Sequence, residues 1–427
     1  MIEQIKKLYS EYLKHPIIST DSRNTPAGSI FFALKGDCFD GNKFALQALK
    51  KGCSIAVIDN PSLKENPHCF YVTDVLEALQ ELAKYHRSLL SIPVIGVTGT
   101  NGKTTTKELI KRVLSKEFNT EATKGNLNNH IGVPLSVLSI RKEHEIAIIE
   151  IGANHIGEIK FLCQIAQPTQ GIITNIGKAH LEGFGSFEGV IQAKTELYQY
   201  LRNKENAVIF VNTDNEILIE KTKGLNAFTY GTSKADCTFS SIKASPFVEM
   251  QWNNSPIVSK LIGKYNAENI MAAVCIGHFF KIDKESIIAA IQEYIPKNQR
   301  SEIVKTSKNE IILDAYNANP SSMKQALENF KEMGKDNPLL VLGDMFELGK
   351  YSLVEHKLIT ELISKLGFKD AILVGNDFYT VCNNELFRTF KTTEEAKDYF
   401  SKNTISERNI LIKGSRGMKL ETFLPFL

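Results

Sequence analysis

The sequence predicts an α/β protein of three domains whose sheets are mainly parallel. Its 427 residues amount to about three ordinary domains. From Pro93 onward, short β-branched runs alternate with helical periodicities, the rhythm of parallel strands joined by crossover helices. Pro296-Lys297-Asn298-Gln299 reads as a linker between the second and third domains.

The elements follow in chain order. Residues 1–16 carry an amphipathic helical pattern and lack the apolar core and cleavage site of a secretion signal. Apolar runs at 29–34 and 55–58 precede a helical pattern near 76–90, with Leu76, Leu79, Leu82 and Ala83 on one side. A first α/β domain is expected over 1–87. Val94-Ile95-Gly96-Val97 is a buried strand by its length and flanks, followed by a glycine-rich turn and a helix over 104–114. The runs 146–151, 171–176 and 207–211 repeat that rhythm. Between 228 and 262, short strands around Trp252-Asn253-Asn254-Ser255-Pro256 suggest an antiparallel insertion. Helices at 265–280 and 284–294 complete a second domain, 88–295. Runs at 311–313, 339–342, 371–374 and 410–412, separated by helical stretches, make 296–427 a third, Rossmann-like α/β domain.

Composition removes several classes of function. Lys+Arg 51 against Asp+Glu 48 leaves a net charge of +3, too balanced to imply nucleic acid or a membrane surface. No apolar run approaches the roughly 18 residues of a membrane span. Seven cysteines without a CxxC pair argue against a disulfide framework and a zinc cluster, so a reducing cytoplasm is the expected setting.

The most informative segment is Gly96-Val97-Thr98-Gly99-Thr100-Asn101-Gly102-Lys103-Thr104-Thr105. A strand feeds a glycine-rich loop that opens a helix, so backbone N–H groups can close around phosphate oxygens at a positive helix end. Lys103 can reach the β/γ-phosphates of a nucleotide and the Thr104 hydroxyl can ligate Mg²⁺. Val97 occupies the first position of the strict phosphate-loop pattern; the glycines lie at Gly96 and Gly99 instead. Downstream, Glu150 ends an apolar strand, where a carboxylate can hold a hard cation. His180 follows another strand and is open to a packing role or a metal role. Lys194 and Glu196 lie in a helical pattern, where such residues ordinarily form a solvated face.

The spelling Thr98-Gly99-Thr100-Asn101-Gly102-Lys103-Thr104-Thr105 resembles the signature of the Mur ligases and their relative folylpolyglutamate synthase, which form amide bonds at the expense of ATP. Gly157-Glu158-Ile159, the run 172–186 and Ala193-Lys194-Thr195-Glu196-Leu197 resemble the middle domain of that family. The resemblance implies an ATPase-type central domain, flanked by an N-terminal domain for a UDP-sugar and a C-terminal one for the second substrate and part of ATP. It implies ATP contacts at Gly99, Thr100, Asn101, Gly102, Lys103, Thr104 and Thr105, with Asn266 and Asn269 near the adenine, Arg300 on the nucleotide and Asp314 on the ribose. It implies a site for two Mg²⁺ ions at Thr104, Glu150, His180 and Lys194, the last carrying a carbamate, and catalytic parts for Lys103, His180 and Lys194. Taken alone, Asn266 is equally a helix N-cap, Asn317 and Asn319 are turn residues, and Lys413–Arg416 is a basic loop.

Within the family, Gly125-Asn126-Leu127-Asn128-Asn129-His130-Ile131-Gly132-Val133-Pro134-Leu135 is similar to the members that add D-alanyl-D-alanine to a UDP-N-acetylmuramoyl-tripeptide. So are Asp314-Ala315-Tyr316-Asn317-Ala318-Asn319-Pro320, Gly343-Asp344-Met345-Phe346-Glu347-Leu348-Gly349, Lys413-Gly414-Ser415-Arg416 and Thr20-Asp21-Ser22-Arg23. This likeness implies contacts to the UDP-sugar or peptide substrates at Ser22, Arg23, Asn126, Asn128, Asn129, Asn317, Asn319, Lys413, Ser415 and Arg416, and a monomeric enzyme. One departure is Asn42, where many relatives carry His. The competing expectations are the third-residue-adding Mur ligase, a folylpolyglutamate synthase-like ligase and, more remotely, a regulatory phosphate-loop switch.

Overall fold

Three sheets in chain order organise the computed structural model, which describes residues 2–296, 299–383 and 385–427; Lys297 and Asn298 of the expected linker lie outside these. The first sheet is parallel, ordered Ile18–Ser19, Ile30–Phe32, Ile55–Ile58, Cys69–Tyr71.

The central sheet has nine strands. Seven run parallel, in the order Cys237–Lys243, Ala227–Gly231, Val208–Asn212, Gln170–Ile173, Val94–Thr98, Ile146–Glu150, Thr120–Ala122. Their side chains divide by alternation between two apolar layers, as buried parallel strands require. Val94, Ala147 and Ile149 join the helices Val75–Ser88 and Phe187–Arg202, whereas Ile95, Val97 and Ile148 join the helices Lys103–Leu114 and Lys264–Phe279.

The expected insertion between 228 and 262 is instead an extension of this sheet. Ala227–Gly231 and Cys237–Lys243 pair in parallel with it, and only Glu249–Trp252 and Ser255–Val258 are antiparallel. Asn253 and Asn254 both have positive φ, the conformation a two-residue hairpin turn demands. That local turn dominates the sequence pattern and hides the parallel pairing of the preceding strands.

The C-terminal sheet runs Glu302–Lys305, Asn309–Asp314, Arg408–Lys413, Pro338–Gly343, Ala371–Val374, Phe387–Phe390, parallel except for its first strand. The N-terminal helix Ile2–Lys14 is fastened to the central sheet's layer. Tyr12 Oη donates to Leu138 O at 2.6 Å, and Arg141 Nη1 donates to Tyr12 Oη at 2.7 Å. Among the described residues no helix is long and apolar enough to cross a membrane.

Candidate active site

The carboxyl ends of two sheets face one another across a cleft of about 620 Å³. In the central sheet the chain changes direction at Val94–Thr98, whose neighbours Ile146–Glu150 and Gln170–Ile173 lie on opposite sides. In the C-terminal sheet Asn309–Asp314 and Pro338–Gly343 flank Arg408–Lys413 similarly. Open α/β sheets bind ligands at such switch points.

On the central side, the loop depends on two glycines. Gly99 has φ +141, and a Cβ there would lie 2.0 Å from Thr174 Oγ1; Gly102 has φ +77, and its Cβ would lie 2.5 Å from Asn269 Oδ1. The loop is tied to the next strand end: Asn101 N donates to Asn175 Oδ1 at 2.9 Å, and Thr174 Oγ1 donates to Asn101 O at 2.6 Å. Lys103 opens the helix Lys103–Leu114 and arches back over the loop, donating to Gly99 O at 2.7 Å and Thr100 O at 3.0 Å. Loss of hydration holds its pKa below the usual lysine value, against the pull of Glu150.

Glu150 is 2% exposed. Its Oε2 accepts from Thr104 Oγ1 at 2.9 Å and its Oε1 from Asn128 Nδ2 at 2.9 Å. A hydroxyl and a carboxylate meeting at the head of a phosphate loop are the hard oxygen donors that Mg²⁺ selects, so the residues fit that ion. Asn129 Oδ1 accepts from Gly132 N at 2.9 Å, at the start of the helix Gly132–Leu138. Asn269 Nδ2 donates to Asn266 Oδ1 at 2.8 Å and Asn269 Oδ1 accepts from Thr106 Oγ1 at 3.0 Å, locking the helix Lys264–Phe279 against the loop helix.

The C-terminal wall carries charge. Asp314 and Lys413 are register partners on adjacent strands, with Nζ 2.5 Å from Oδ2, and the lysine side chain is 2% exposed. Arg300 stacks on the Tyr316 ring at 3.8 Å, with Arg416 at 5.2 Å from the same ring. Asn319 caps the helix Pro320–Glu332 through Ser322 N and reaches across the cleft, its Nδ2 donating to Asn101 Oδ1 at 2.8 Å. Further contacts join the domains: Lys178 Nζ to Glu355 Oε1 at 2.8 Å, and His180 Nδ1 to the Glu347 carboxylate.

The structure therefore gathers most of the sequence-derived candidates. Thr100, Asn101, Gly102, Lys103, Thr104, Thr105, Asn126, Asn128, Asn129, Glu150, His180, Asn266, Asn269, Arg300, Asp314, Asn317, Asn319, Lys413, Ser415 and Arg416 all line the cleft. Four do not. Gly99 is a buried residue of the loop. Ser22 and Arg23 belong to the N-terminal domain, where Arg23 pairs with Asp21 at 2.8 Å. Lys194 is one layer behind the wall, 2% exposed, with Nζ 3.4 Å from Ala153 O and 5.2 Å from the Phe184 ring centre. Burial foremost, and then Lys103, push its pKa well below the usual lysine value, against Glu158 and Glu196. Glu196 instead accepts from Gly157 N at 2.6 Å and Lys160 N at 2.8 Å, heading the helix Glu158–Ala166.

Sequence reasoning missed Tyr316 and Glu347 as cleft residues, although both lie in segments it singled out. It also missed Glu158, within the quoted Gly157-Glu158-Ile159, and Tyr265, next to the singled-out Asn266.

Known proteins share this architecture. The family described as Mur ligase middle domain matches residues 97–277, Mur ligase, glutamate ligase domain matches 299–416, and Mur ligase family, catalytic domain matches 15–87. The UDP-N-acetylmuramoyl-tripeptide–D-alanyl-D-alanine ligase of Bacillus subtilis is 36% identical, the alignment covering 96% of this chain and 92% of the relative. A crystal structure of MurF from Acinetobacter baumannii superposes with TM-score 0.86 at 31% identity, covering 96% of this chain and 92% of that one. MurF ligase from Thermotoga maritima, in complex with ADP, superposes with TM-score 0.83 at 25% identity, covering 97% of both chains.

Proposed function

The chain belongs to the Mur ligase family, and from that premise we propose an ATP-dependent ligase that joins D-alanyl-D-alanine to UDP-N-acetylmuramoyl-tripeptide, giving the pentapeptide precursor of peptidoglycan. One observation supports the assignment of parts most: the phosphate loop with Thr104 and Glu150 faces Asp314, Lys413 and Arg300 of another domain across one cleft. A nucleotide and a peptide carboxylate can meet there.

A carboxylate resists amine attack because it is anionic, resonance-stabilised and without a good leaving group. Transfer of the γ-phosphoryl of ATP to the tripeptide's terminal carboxylate gives an acyl phosphate and ADP. The dipeptide amine then attacks the carbonyl carbon, and the tetrahedral intermediate expels inorganic phosphate and leaves the amide. The loop amides and Lys103 hold the polyphosphate and offset charge during transfer, chiefly by position and electrostatics. Lys103 leaves its loop carbonyls to do so. Asp314, fixed by Lys413, holds the ribose, and Arg300 lies on the nucleotide.

Thr104, Glu150 and His180 would hold Mg²⁺, which when bound would neutralise phosphate charge. Lys194 would serve the same site as a carbamate: its uncharged amine adds to CO₂, releasing one proton and turning a buried amine into an anionic oxygen ligand. The depressed pKa supports this, because only the free amine reacts with CO₂. Two ions and this carbamate are parts of the proposal, as are domain boundaries at 87/88 and 295/296.

Contacts from Asn101 to Asn319 and from Lys178 to Glu355 close the central and C-terminal domains on one another, keeping water from the acyl phosphate. Both walls come from one chain, which supports action as a monomer, and dissolved nucleotide substrates suit a cytoplasmic setting. ADP release, measured with each substrate omitted in turn, tests the reading. Steady turnover requires ATP, the UDP-tripeptide and D-alanyl-D-alanine together; equal turnover without the dipeptide contradicts it.

A further inference from the structure

His180 and Glu347 meet across the boundary between the central and C-terminal domains, and both are strained. His180 has φ +49 and Glu347 φ +63, left-handed conformations that residues with a Cβ seldom adopt. His180 is partly buried, and the Glu347 side chain is about half exposed. His180 precedes the short helix Leu181–Phe184, and Glu347 lies in the turn after the strand Pro338–Gly343.

The docking around them is extensive. Glu182 N donates to Glu347 O at 3.3 Å, and Tyr351 Oη donates to Gly185 O at 3.2 Å. Leu181 and Phe184 share one apolar cluster with Met345 and Leu348. The carboxylate of Glu347 takes His180 Nδ1, which leaves Nε2 for the cleft that both residues line. A histidine serving a metal or a reacting group needs its second nitrogen held, since that bond fixes both tautomer and ring orientation.

We infer that Glu347 is a positioning residue for His180, supplied by the C-terminal domain, so that the active-site histidine is oriented only when the two domains are docked. An open molecule leaves His180 unaligned, which couples phosphoryl transfer to closure. This inference rests on the proposed ligase function for its kinetic consequence, but its structural consequence is readable in the unliganded chain.

The test compares Glu347→Ala, Glu347→Gln and, as a control for closure in general, Glu355→Gln, which weakens the Lys178 contact elsewhere on the boundary. Hydrogen exchange on the unliganded proteins is followed at amides 181–185. Glu347→Ala should speed exchange there about 10-fold or more, while Glu347→Gln, whose amide oxygen still accepts from Nδ1–H, stays within about 3-fold of the parent, as does Glu355→Gln, which touches only an ion pair whose lysine is half exposed. In ADP-release assays Glu347→Ala should lower kcat about 10- to 100-fold with the KM for the UDP-tripeptide unmoved, and Glu347→Gln should restore most of the loss. Unchanged exchange in Glu347→Ala, an equal effect of Glu355→Gln, or no rescue by Gln would overturn the inference. A parent protein that releases no ADP with all three substrates would instead overturn the ligase reading, leaving the exchange comparison standing.

Discussion

Replacing Gly99 by Ala tests the phosphate loop at its most constrained point. The added Cβ would fall 2.0 Å from Thr174 Oγ1, 3.0 Å from Thr174 N and 3.2 Å from Asn175 N. Thr174 Oγ1 cannot swing away freely, because it donates to Asn101 O at 2.6 Å. Backbone must therefore move, at an overpacking cost of about 1–3 kcal/mol. The φ of +141 adds about 1–3 kcal/mol for a residue with a Cβ. The sum, about 2–6 kcal/mol, falls on the loop proposed to hold the phosphates. Even the lower end weakens ADP about 30-fold if spent on misaligning the loop. Titration calorimetry with Mg²⁺ and ADP reads the loss directly. The pair Gly99→Ala with Thr174→Ala should relieve the side-chain clash but neither the backbone contacts nor the φ part. Binding of ADP to Gly99→Ala within about 3-fold of the parent would refute the reasoning.

Three other perturbations have defined directions. Lys194 has a folded-state pKa below its unfolded value, so the stability it contributes is present only above about pH 10.5 and is lost as pH falls. Lys194→Met in bicarbonate-free buffer should therefore raise the melting temperature at pH 7 and lose that advantage above pH ~10.5, while in buffer containing bicarbonate its turnover falls about 10- to 100-fold below the parent's; a less stable variant at pH 7 in the bicarbonate-free buffer contradicts this. Asp314→Asn leaves the Lys413 ammonium buried without its partner, and chemical denaturation should show a loss of about 3 kcal/mol, with the KM for ATP raised and that for the UDP-tripeptide unchanged. Asn42, 3% exposed, donates to Asp40 Oδ1 at 2.8 Å and Asp59 Oδ1 at 2.7 Å and accepts from Asp59 N and Asn60 N at 3.2 Å each. Asn42→Ala should cost about 2–4 kcal/mol, seen as early exchange of the N-terminal sheet, and an unchanged exchange profile would refute that role.

The phosphate loop was legible because its chemistry is local: the glycines, Lys103 and Thr104 lie within one strand–turn–helix, and each spacing has a mechanical reason. Glu150 was legible for the same reason, as a charge ending a fully apolar strand. Lys194 was not. Helical periodicity assigns it to a solvated face, and only the packing of Phe187–Arg202 beneath the cleft buries it while its neighbour Glu196 heads another helix. Asp314 and Lys413 are 99 residues apart in sequence, and only the strand register makes them a pair. Asp344, in a segment that resembles the family, accepts from Asp377 N and Phe378 N at 3.0 Å and so anchors the helix Asn376–Val381, a task with no mark in the sequence. Distances along the chain thus revealed the phosphate site and concealed what two domains build together.

The central claim is that a phosphoryl group passes onto the tripeptide's terminal carboxyl before the amine attacks. Tripeptide substrate labelled with ¹⁸O in that carboxyl, turned over with ATP and D-alanyl-D-alanine, tests this directly by mass spectrometry of the released phosphate. Each inorganic phosphate should carry one oxygen from the labelled carboxyl. Phosphate that leaves without label during full amide formation would contradict the account.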